Sequence, residues 1–116
     1  MKTINIKPYN IDLHIFTSPR SLKMYCKKNS YLMSMEDNDI VDLDIFRGLS
    51  LLYPDNTMLL YLPKEYDEDT LDHELIHITW FIARIIGQPL TWDNNEFQAY
   101  LFPDLKRLIK KKVYKL

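Results

Sequence analysis

Residues 69–86 constrain the fold more than any other part of the chain. Leu71, Leu75, Ile76, Ile78, Trp80, Phe81, Ile82, Ile85 and Ile86 crowd a segment that holds neither proline nor glycine. Asp69 can cap its start, and Asp72 in the first turn suits the positive end of the helix dipole. Gly87 can close the other end in the left-handed conformation, and Pro89 blocks continuation. The spacing predicts a helix ending near Ile86. Because it is apolar on most sides, it is expected to be central and wrapped by the rest of the chain. Its few polar residues are therefore informative.

Three of those polar residues stand close together. His73-Glu74-Leu75-Ile76-His77 is an HExxH pattern. Two histidines four apart project from one helix face, one turn above each other, where both imidazoles can meet one metal ion. Glu74 follows the first histidine and lies beside the metal, where it can take a proton from water. Shuffling a chain of this composition yields the pattern only roughly a few times in a thousand. The competing reading is two histidines on a wet helix face, but the surrounding apolar residues argue against it, since uncompensated polar groups there cost free energy.

Catalytic zinc needs a third protein ligand and one open position. No histidine follows His77, and Trp80 stands where a longer His-rich motif would place glycine. The best candidate is Glu96, in Asn94-Asn95-Glu96-Phe97-Gln98-Ala99-Tyr100. The turn at 87–89 would let a following helix return and bring Glu96 level with the histidines. Glu96 could instead only complete a capping box with Asp93. His14 is the reserve ligand, although a strand histidine is the plainer reading, and Cys26 lies far upstream on another helix. Tyr100 shares a helix face with Glu96 and could steady an oxyanion or pack as core. Asp72, Asp93 or Asn94 could orient an imidazole. Arg84 is expected to pair with an acid on the last helix rather than to bind substrate.

An active-site helix, a glycine turn and a helix carrying a third-ligand glutamate together resemble the gluzincin type of zinc peptidase. The compact arrangement over about residues 46–104 is similar to minimal zincins, including ImmA/IrrE-like peptidase domains and small HExxH proteins of bacteriophages and prophages. The resemblance implies His73, His77 and Glu96 as zinc ligands and Glu74 as catalytic base. It also implies a substrate lying along the sheet edge above the active-site helix. The expected fold is α+β: a small sheet with a hairpin, packed on the active-site helix and on a second, ligand-bearing helix. The expected function is hydrolysis of peptide bonds in a protein or peptide substrate. Two rival classes remain. One is a non-catalytic, zinc-stabilised binding protein acting on a host protein; the other is a nucleic-acid accessory protein working through its basic end.

The remaining sequence fills in the frame. A chain of 116 residues, 47% apolar and 27% charged, supports one core and one domain over residues 1–116. One cysteine leaves no disulfide framework. No apolar run spans a bilayer and no secretory signal is evident, so the expectation is a cytoplasmic protein, in the host cytoplasm if phage encoded. Ile11–Phe16 reads as a strand. Ser18 and Pro19 start a helix that should run to about Lys28 and stop at Asn29. Residues 36–44 are acidic enough to be a surface loop. Residues 48–53 and 57–62 flank Pro54-Asp55-Asn56 and read as a hairpin, with Asn56 left-handed. A last helical stretch begins at Asp93, and Pro103 should kink or split it.

Charge is strongly segregated beneath a net value of −1. Residues 1–35 carry six basic side chains and one acidic; residues 36–74 carry two and twelve. Residues 105–116 hold six basic side chains and no acidic one. This basic end is expected to form a solvated helix or frayed tail, to meet an acidic partner or nucleic acid, or to fold back on the chain's own acidic belt.

Overall fold

The computed structural model describes residues 1–31, 47–91 and 95–115. It is a small α+β fold, a four-stranded mixed sheet with three helices. In chain order the elements are β1 (Lys2–Ile6), β2 (Ile11–Phe16), α1 (Pro19–Lys28), β3 (Leu49–Leu52), β4 (Met58–Tyr61), α2 (Glu68–Ile86) and α3 (Asn95–Val113). The spatial strand order is β1-β2-β4-β3. β1 pairs antiparallel with β2, β3 antiparallel with β4, and β2 parallel with β4.

Strand periodicity splits the apolar residues between two faces. Ile4, Ile6, Leu13, Ile15, Met58 and Leu60 join Leu71, Leu75, Ile78 and Ile82 of α2 and Leu101, Leu105 and Ile109 of α3 in the larger core. Their neighbours along the strands, Phe16, Leu59 and Tyr61, face the other way and pack with Leu22 and Cys26 of α1. The sheet is thus covered by α1 on one face and by α2 with α3 on the other.

Several local expectations hold. Ser18 caps α1, its hydroxyl accepting from the Ser21 amide, with Pro19 in the first turn and Asn29 at the end. Asn56 takes the left-handed conformation in the hairpin turn (φ 68°). Gly87 closes α2 at φ 72°.

Other expectations are corrected. The cap of α2 is Asp67, whose side chain accepts from the Asp69 amide; two aspartates two residues apart compete for the role, and the earlier one wins. The strand β1 went unpredicted. Pro103 does not split the last helix: α3 is assigned through it from Asn95 to Val113, because Leu101, Leu105 and Ile109 anchor both sides in one core. The larger core draws on Ile4 and Ile6 of β1, Leu13 and Ile15 of β2 and Ile109 near the basic end as well as on α2. α2 is not wrapped on all sides. His73, Ile76, His77, Trp80 and Arg84 form an exposed stripe along it, with Trp80 55% and Ile76 46% accessible. The acidic stretch 36–44, Asp93 and Asn94 lie outside the described residues.

The helices are tied by charge as well as by apolar contact. Lys106 Nζ lies 2.9 Å from Asp72 Oδ1 and 3.4 Å from Glu68 Oε2, and Lys110 donates to Glu68 at 2.6 Å. Lys110, then Lys106, hold the Glu68 carboxyl below its usual range. A lowered carboxyl contributes stability above its unfolded value and loses it as pH falls through the folded one. Glu68→Gln should therefore melt lower than wild type at pH 7 and low salt, by no more than about 4 °C because these pairs are solvent-screened. The difference should close as pH falls below the carboxylate range, or in molar salt. Thermal melts across pH check this.

Gly48 governs how close β3 comes to α2. A Cβ there would meet Thr70 Cγ2 at 2.8 Å, Glu74 Cγ at 3.0 Å and Leu62 Cδ2 at 3.3 Å. Gly48→Ala should destabilise the fold by about 1–3 kcal/mol through overpacking, measured by urea unfolding.

Candidate functional site

The rotation of α2 against the sheet decides which HExxH residues face where. Leu71, Leu75, Ile78 and Ile82 are fully buried. At about 100° per residue, their neighbours His73 and His77 must turn outward, while Glu74 stays with the buried side. The His73 side chain is 69% exposed, and that of Glu74 only 9%. The two imidazoles meet edge to face, with ring centroids 4.9 Å apart. Their Nε2 atoms stand 3.2 Å apart, which also suits one ring donating to the other. His77 is flanked further along by Phe81, ring centroids 6.4 Å apart and nearly parallel.

That nitrogen separation bears on a metal. Two ligands at 2.0–2.1 Å on a tetrahedral zinc lie about 3.3 Å from each other. The histidine pair therefore has the spacing of two vertices of such a site. Among the described residues, no group of three His, Cys, Asp or Glu side chains is gathered as a metal would require.

Glu74 is held from the sheet side. The Ser50 hydroxyl of β3 hydrogen-bonds to its Oε2, and lies 3.3 Å from the Glu74 backbone carbonyl. The other carboxylate oxygen, Oε1, is 4.0 Å from His73 Nε2. Ser50 was not singled out in the sequence. The available signal was the small-residue step Gly48-Leu49-Ser50 at the start of a strand otherwise made of leucines.

The remaining candidates are placed as follows. Glu96 is exposed in the first turn of α3. Nine residues, or two and a half turns, separate it from buried Leu105, so it lies on the helix face turned from the core. The Lys106–Asp72 and Lys110–Glu68 pairs run α3 antiparallel to α2, and the same register puts about residue 101 level with His77. Glu96 thus stands about five residues, roughly one and a half turns, past the level of His77 along the helix pair. Tyr100 is at the level of His77 and 72% exposed. Asp72 is engaged by Lys106 instead of orienting an imidazole. Arg84 has no acidic partner among the described residues and lines a groove of about 520 Å³ with Ile76, His77, Trp80 and Phe81.

The reserve ligand His14 lies away from the histidine pair, and so does Cys26. Leu13 and Ile15 face α2, so His14 between them faces α1, on the far side of the sheet from His73 and His77. Its Nδ1 lies 2.8 Å from Thr3 Oγ1, and its ring packs near Tyr25. Cys26 is buried in the α1 core against the Tyr53 hydroxyl, and burial pushes its thiol up.

Compared with known proteins, the chain matches no family model, no curated protein and no solved structure.

Proposed function

We propose that the protein is a zinc-dependent metallopeptidase of minimal zincin type, acting on a protein or peptide. One observation carries the reading: two imidazole nitrogens at the spacing of a shared ion, with a buried carboxylate on the adjoining helix position and one oxygen turned toward them. His73 and His77 would hold the metal. Glu96 is the third ligand this reading assigns, at the start of a helix antiparallel to α2. When bound, zinc supplies Lewis-acid chemistry, polarising a carbonyl and making water more acidic.

The chain's own residues supply the rest. β3 is one of the two edge strands of the sheet, and it lies against Glu74. A peptide laid along it could add main-chain hydrogen bonds, bringing a scissile bond over the histidine pair. Glu74 would take the proton of the attacking water. As the new C–O bond forms and the C–N bond breaks, it would pass that proton to the leaving amine. Tyr100, level with His77, is assigned the developing oxyanion.

Trp80 and Ile76 favour a second reading. Large apolar side chains exposed beside the histidines also suit a zinc-stabilised protein that binds a host factor without turnover.

Metal analysis of the purified protein is the first test. Wild type should carry close to one zinc per chain, His77→Ala almost none, and Glu96→Ala far less than wild type. Absence of zinc from wild type, after reconstitution, ends both readings. Full zinc in Glu96→Ala removes only the third-ligand assignment.

Glu74→Gln separates enzyme from binder. It should keep zinc and fold, yet lose about 100-fold or more of any hydrolysis of a fluorogenic peptide library. A biological effect that survives Glu74→Gln intact marks a binding protein.

A further inference from the structure

The histidines of α2 are exposed, but the base beside them is buried, and the cost of burying it has to be offset. A carboxylate shut from water needs hydrogen-bond partners to offset its lost hydration and to hold it in place. On the sheet side, the Ser50 hydroxyl provides one. By strand alternation, Leu49 and Leu51 turn toward the α1 core, whereas Ser50 and Leu52 turn toward α2. Ser50 pairs in register with Leu60, which is fully buried, so its position calls for an apolar residue on packing grounds. A hydroxyl there is explained by its partner. Gly48, just before β3 and two residues ahead of Ser50, lacks the side chain that would push the strand off Thr70 and Glu74.

We propose that Ser50 is a positioning residue for Glu74. It fixes one carboxylate oxygen to β3 so that the other stays turned toward the histidine pair, and Gly48 permits the approach that makes this contact possible. The inference rests on the metallopeptidase reading of the site. It assigns Ser50 no contact with substrate or metal.

The experiment is a mutant cycle on the zinc-loaded protein. Ser50→Ala, Ser50→Thr, Glu74→Gln and the Ser50→Ala/Glu74→Gln double variant are compared with wild type. Zinc content and melting temperature are recorded for each. One readout is hydrolysis of the fluorogenic peptide library. The other is the dissociation constant of acetohydroxamic acid, a chelator whose binding to a metal benefits from a correctly aimed neighbouring base. Ser50→Ala should keep its zinc, melt within a few degrees of wild type, lose at least about tenfold in kcat at unchanged KM, and bind acetohydroxamate about tenfold more weakly. Ser50→Thr, which keeps the hydroxyl, should recover most of both. In the Glu74→Gln background, Ser50→Ala should change neither.

The proposal is overturned by wild-type kcat and acetohydroxamate affinity in Ser50→Ala. It is equally overturned by a loss that persists undiminished in the Glu74→Gln background, which marks a general packing role. If wild type takes up no zinc, the metallopeptidase reading fails and this inference falls with it. If wild type is zinc-loaded and Ser50→Ala behaves as wild type, only the role of Ser50 falls.

Discussion

The seating of α2 on the sheet is the constraint on which the rest depends. Leu71, Leu75, Ile78 and Ile82 lock the helix at one rotation against Leu13, Ile15, Met58 and Leu60. Each of these α2 side chains is fully buried and, from area burial, contributes about 1.5–3 kcal/mol. Rotation by one residue position would exchange His73 for Glu74 at the buried face. The apolar stripe therefore does more than stabilise: it divides three neighbouring polar side chains into an exposed imidazole pair and a sheltered carboxylate. Catalysis of the proposed kind needs such a division, because ligands must be reachable while a base benefits from a fixed, partly dry setting.

Much of this was legible because it rests on local chemistry. The start of α1 is written in Ser18 and Pro19, the end of α2 in Gly87, and the hairpin turn in Pro54-Asp55-Asn56; each depends on residues within one turn of itself. What escaped depends on distant partners. β1 gains its place from pairing with β2 and from Ile4 and Ile6 reaching the α2–α3 core. The parallel pairing of β2 with β4 joins segments more than forty residues apart, and no local pattern announces it. The tolerance of Pro103 follows from anchors on either side. At the candidate site, His73, Glu74 and His77 were readable as a motif, but their division between outside and inside was not. The reading of α2 as apolar on most sides and wrapped by the chain overlooked that Ile76 and Trp80 belong to the exposed stripe. The contact of Ser50 with Glu74 spans 24 residues and two elements, so strand and helix spacing alone could not reveal it.

Charge segregation finds a partial structural use. Lys106 and Lys110 of the basic end reach Glu68 and Asp72 of the acidic block, so part of the C-terminal charge folds back on the chain itself. The same helix buries Leu105 and Ile109, and the Tyr114 hydroxyl donates to the Pro63 carbonyl at 2.9 Å. The basic end is thus built into the domain. Its other lysines, Lys111, Lys112 and Lys115, line an open groove with Thr3 and Asn5 beside β1. Charge next to an edge strand discourages sheet-to-sheet association, which is a sufficient physical reason for their presence there.

The two edges of the sheet are therefore treated differently. β1 is flanked by lysines from α3, whereas β3, at the opposite edge, is preceded by a glycine pressed against α2 and carries Ser50 toward Glu74. An edge strand whose inward face meets a buried carboxylate is a strand whose displacement would move that carboxylate. In the proposed reading, main-chain binding along β3 and the aim of Glu74 would be mechanically coupled. A peptide that steadies the strand would also steady the base, and it would do so through Ser50, the side chain of that strand that bridges to Glu74.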